Sequence, residues 1–72
     1  MAELPVLKLR QVLSALSHAG FTQISQKGSH LKFRRGERTV IVPHHDEIRK
    51  GTLACIIRQT GLTREEFILL LE

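Results

Sequence analysis

The chain has 72 residues, 42% of them apolar, one cysteine, and eleven Lys and Arg against seven Asp and Glu, a formal charge of +4. A single cysteine excludes a disulfide framework, and apolar residues gathered in periodic segments argue against a disordered chain. No stretch approaches the roughly 18 apolar residues of a membrane span, and the opening "MAELPVLKLRQ" lacks the pattern of a secretory leader, so a cytoplasmic domain spanning residues 1–72 is expected.

A domain this small buries only about 60% of the surface its unfolded chain exposes, so its core must be compact. The basic balance favours a polyanionic partner, either nucleic acid or an acidic protein surface.

The first periodic segment is "PVLKLRQVLSALSHAGF". Val6, Leu9, Val12, Leu13 and Leu16 recur at three- and four-residue spacing, which predicts a helix with one buried face. Pro5 suits its start and Gly20 its end. From Phe21 the period changes. "FTQIS", "SHLKFR" and "RTVIV" are short, rich in β-branched and aromatic residues, and separated by Lys27-Gly28 and Gly36-Glu37. Two-residue hairpin turns at those breaks would set Ile24 opposite Leu31, Phe33 opposite Val40 and Leu31 opposite Val42. Those five apolar residues would then share the buried face of a three-stranded antiparallel sheet.

After the polar connection "PHHDEIRK" comes "GTLACIIRQTG", where Leu53, Ile56, Ile57 and Thr60 form a helical stripe ending at Gly61. Cys55, within this run, is expected to be a small buried hydrophobe. In "LTREEFILLLE", Thr63 and Glu66 have the spacing of a capping box, and Leu62 can staple onto Phe67. The order is α-β-β-β-α(-α), an α+β fold with its helices on one face of the sheet.

Strand alternation places His30, Lys32 and Arg34 together on the opposite, open face. An exposed histidine on a basic strand can be nothing more than a solvated polar residue. Its surroundings argue for chemistry. The Gly28-Ser29 turn lets a phosphate backbone approach closely, Lys32 and Arg34 supply charge, and imidazole titrates near neutrality. These are the parts needed to take a proton from an RNA 2′-hydroxyl and favour its attack on the adjacent phosphate, which requires no metal. Lys27, Lys32, Arg34, Arg35 and Arg38 also crowd one short stretch, although such a run can be merely a solvated face.

"HHDE" at 44–47 lacks zinc spacing and a distant completing ligand, so neither metal nor cofactor is expected and the segment reads as a solvated connection. His18, late in the first helix, suits the dipole there and is given no chemistry. Phe21, Phe33 and Phe67 all fall at core positions. Base stacking on aromatics therefore has nothing to use, and RNA binding would run through phosphates and shape.

"GFTQISQKGSHLKFRR" followed by "TVIVPHHDEIRKGTLACIIRQTGLTREEF" resembles the HicA toxins of bacterial and archaeal toxin–antitoxin pairs, also called the YcfA-like family. The likeness covers nearly the whole chain, from a leading helix ending in Gly-Phe to the closing Gly-Leu-Thr-x-Glu-Glu-Phe. It implies a small fold similar to a double-stranded-RNA-binding domain, ribosome-independent mRNA cleavage, and a HicB antitoxin that covers the active site. The family's catalytic histidine falls on His30, after Gly28 and Ser29. Many members carry a second histidine directly afterwards; here that position is Leu31. Two readings from different classes result. One is a metal-independent endoribonuclease toxin neutralised by a partner. The other is a non-catalytic RNA-binding module holding phosphates through Lys27, the Gly28-Ser29 turn, Lys32, Arg34 and Arg35.

Overall fold

The computed structural model describes residues 4–71, so Met1–Glu3 of the leader reading and Glu72 lie outside the described residues. The elements are β1 (Leu7–Lys8), α1 (Leu9–His18), β2 (Thr22–Lys27), β3 (His30–Arg35), β4 (Arg38–Pro43), β5 (Glu47–Ile48), α2 (Lys50–Thr60) and α3 (Arg64–Leu69). β2, β3 and β4 form an antiparallel sheet in that order, and β1 pairs with β5 in a separate two-residue ladder. This is the α+β arrangement that the periodicity predicts. Among the described residues no helix is long and apolar enough to cross a membrane.

The second hairpin has the expected register, with Leu31 opposite Val42, Phe33 opposite Val40 and Arg35 opposite Arg38. Gly36, at φ +58°, takes the first central position of its turn, where a positive φ is required. Leu31, Phe33, Val40 and Val42 are all buried. They pack in one cluster with Val12, Ala15 and Leu16 of α1, Leu53, Ile56 and Ile57 of α2, and Phe67 of α3.

The first hairpin departs from expectation by one residue. Its turn is Gly28-Ser29, not Lys27-Gly28, so Lys27 pairs with His30 and Gln26 with Leu31. The cause is glycine's freedom at positive φ. Gly28 sits at φ +58° in the first central position, a place where Lys27 would be strained. A bulge between Gln23 and Ser25 then leaves Ile24 unpaired and 48% exposed, so it does not join the core. With one apolar residue in "TQISQK", little free energy opposed the slip.

Two other expectations are corrected. The first helix begins at Leu9, because Leu7 and Lys8 are extended against Ile48 and Glu47. That pairing leaves Val6 51% exposed and buries Leu7 in its place. Cys55 is exposed, since it lies off the stripe of Leu53, Ile56, Ile57 and Thr60 on α2.

The start of α3 and the end of α1 follow the sequence signals. At α3 the Thr63 hydroxyl accepts from the Glu66 backbone N–H at 3.0 Å, and the Thr63 N–H donates to Glu66 Oε1 at 2.8 Å. At α1 the Gly20 N–H donates to Ser17 O and the Phe21 N–H to Leu16 O, the paired bonds of a Schellman stop.

Candidate active site

β3 has to present one face to the core, and its alternation decides where every polar side chain goes. Leu31 and Phe33 are buried, whereas His30, Lys32 and Arg34 are exposed. Across the sheet on that open face His30 is opposite Lys27 on β2 and Pro43 on β4. Lys32 lies between Ser25 and Ile41, and Arg34 between Thr22 and Thr39. The imidazole of His30 therefore sits at one end of a cationic row, directly after the Gly28-Ser29 turn. The shift in the first hairpin strengthens this grouping. It sets Lys27 directly across from His30, where the register predicted from sequence would have paired Gln26 with Ser29.

Arg34 Nε donates to Gly36 O at 3.2 Å, which leaves the rest of its guanidinium fork on the exposed face. Arg35 is engaged elsewhere. Its Nη1 donates to Ala19 O at 2.6 Å, and its guanidinium carbon lies 5.4 Å from the centroid of the Phe21 ring. It closes the end of α1 against the sheet through a charge-assisted hydrogen bond and a cation–π contact. Arg38 similarly reaches over the end of α2, donating to Gln59 O at 3.4 Å. Of the cations counted from sequence, Lys27, Lys32 and Arg34 are the ones grouped with His30 on the open face.

The segment after β4 is more ordered than a solvated connection. The His44 N–H donates to Ser29 O at 2.6 Å, extending the β3–β4 ladder by one step. The His45 N–H donates to Pro43 O at 2.9 Å, a tight turn around His44. Asp46 O accepts from the Leu9 N–H at 3.0 Å, and Glu47–Ile48 then pair with β1. Residues 44–46 thus bridge the His30 turn and the start of α1, with both imidazoles exposed. Among the described residues no three His, Cys, Asp or Glu side chains gather as a metal site. His18, given no chemistry from sequence, has Nδ1 3.1 Å from Leu70 O, a link between α1 and the end of α3.

A hollow of about 390 Å³ opens beside the start of α1, lined by Lys8, Leu9, Arg10, Leu13 and Asp46. It does not include His30. The candidate residues lie instead on the open sheet face, where an extended polyanion can lie across the cationic row without entering a cavity.

The family model for the HicA toxin of bacterial toxin–antitoxin systems matches residues 9–62, from the first residue of α1 to just past α2. No curated protein matches the chain.

Proposed function

The chain belongs to the HicA toxin family, and from that premise we propose that it is a metal-independent endoribonuclease acting on mRNA in the cytoplasm. In this reading His30 is the general base and a HicB-like antitoxin protein is the neutralising partner. The observation that carries it is the placement of His30, exposed at the start of β3, after a glycine turn, and level with Lys27. A neutral imidazole there takes the proton of an RNA 2′-hydroxyl, and the oxygen attacks the adjacent phosphorus. Lys32 and Arg34, two and four residues along the same strand face, hold the flanking phosphates, and Lys27 shares the charge developing on the one under attack. The Gly28-Ser29 turn has no side chain beyond a hydroxymethyl, so the backbone of the RNA can approach closely.

The antitoxin silences this site most directly by lying over the same face, and an acidic contact surface would complement the +4 domain. One experiment tests both statements. Protein purified without its partner should cleave RNA in the presence of a chelator, His30→Ala should not, and the co-expressed pair should neither cleave nor bind RNA. RNA binding without cleavage by the free protein would instead make it a non-catalytic RNA-binding module. A complex that binds RNA as tightly as the free domain would refute inhibition by covering.

A further inference from the structure

Cleavage of a phosphodiester by its own 2′-hydroxyl needs two proton transfers, and His30 accounts for one. We infer that His45 supplies the other, as the general acid that protonates the leaving 5′-oxygen. This rests on the reading of His30 as base.

Pro43 lies opposite His30 on the open face, with about 4.5–5.5 Å between such Cβ atoms. His44 is the next residue of the ladder, opposite Ser29, so alternation sends its side chain to the other face. The tight turn closed by His45 N–H to Pro43 O keeps His45 close to Pro43, the residue that lies opposite His30. A side chain held close to the cross-strand partner of His30 can reach the far side of a phosphate that is hydrogen-bonded to His30. His45 is also fixed on both flanks. One residue before it, His44 N–H holds Ser29 O, and one residue after it, Asp46 O holds the Leu9 N–H. An exposed imidazole on a loop anchored at each end is a positioned group, because its backbone has already lost the freedom of a linker.

The step balances without any co-reactant. The 2′-hydroxyl proton passes to His30 as the O2′–P bond forms. The P–O5′ bond breaks with its electron pair on O5′, which takes a proton from the His45 imidazolium. The products are a 2′,3′-cyclic phosphate and a 5′-hydroxyl, and the two imidazoles end in exchanged protonation states.

The test uses the full chain, free of antitoxin, on an RNA whose cleavage position has been mapped, and on the same RNA with sulfur replacing the bridging 5′-oxygen there. A thiolate leaves without needing a proton. His45→Gln should therefore lose about 100-fold or more on the oxygen substrate and stay within about threefold of the parent on the sulfur substrate. His45→Asn should repeat the pattern, and circular dichroism should show both variants folded. His44→Gln should stay within about threefold on both substrates. Equal losses by folded His45 variants on the two RNAs, or no loss on the oxygen RNA, would overturn the assignment. His30→Gln should lose activity on both. Retention there would overturn the base reading instead, and an intact RNA after incubation with the parent protein would overturn both.

Discussion

Substituting His30 and then Leu31 separates chemistry from folding across one peptide bond. His30 is exposed and makes no side-chain hydrogen bond within the described residues, while Leu31 is 4% exposed in the central strand. Truncating an exposed side chain away from caps and networks changes stability by no more than about 0.5 kcal/mol. For a domain of this size that is a melting shift within roughly 2–4 °C. Truncating a buried leucine removes its contacts and leaves a cavity, at a cost of about 2–5 kcal/mol. A 72-residue domain has only about 4–11 kcal/mol in total. Leu31→Ala should therefore melt at least roughly 8 °C lower, or fail to fold, and lose cleavage only in proportion to its unfolded fraction. His30→Ala should melt like the parent and lose about 10²–10⁴-fold in cleavage rate. Thermal melts by circular dichroism and initial rates on a fluorescent RNA measure both. The reasoning is refuted if His30→Ala melts much lower, or cleaves as the parent does, or if Leu31→Ala leaves the melting temperature unchanged.

Lys32→Ala and Arg34→Ala should each weaken RNA binding for all sequences alike and lower the salt dependence by about one phosphate contact, measured by titration at several salt concentrations; a loss confined to one sequence would mean base reading. Cleavage should survive a chelator and fall on acidification, because a protonated imidazole cannot accept the 2′-hydroxyl proton; a pH–rate profile with and without chelator checks both. Arg35→Ala should cost about 1–2 kcal/mol, since it releases Ala19 O and uncovers Phe21, and should change the salt slope of RNA binding little once folding is accounted for.

The difference between the two hairpins shows which parts of this fold are written in sequence. "LKF" and "VIV" put apolar residues at every second position on both strands, so a slip by one would turn either Leu31 and Phe33 or Val40 and Val42 out of the core. That penalty fixes the second hairpin and, with it, the open face carrying His30, Lys32 and Arg34. "TQISQK" offers one apolar side chain, so the turn's demand for positive φ outweighs it, and Gly28 rather than Lys27 sets the register. The same local preference moved Lys27 opposite His30, a placement in the candidate site that no hydrophobic pattern could have signalled. The β1–β5 ladder was invisible for a related reason. Two residues have no periodicity, and the pairing of Leu7 with Ile48 depends on where the chain returns after β4.

Side chains that act through long-range closure were equally hidden. Arg35 counts as one more cation in a basic run until α1 ends beside it and Phe21 comes under its guanidinium. His45 looks like half of a polar dipeptide until Ser29 and Leu9, distant in sequence from it and from each other, tie down its neighbours. His30 was legible because strand alternation decides its exposure with information carried entirely within "SHLKFR". A site built by backbone bonds from three separate segments has no such local record. The half of the proposed chemistry that sits on a patterned strand can be found from sequence, and the half proposed for the 44–46 bridge requires the fold.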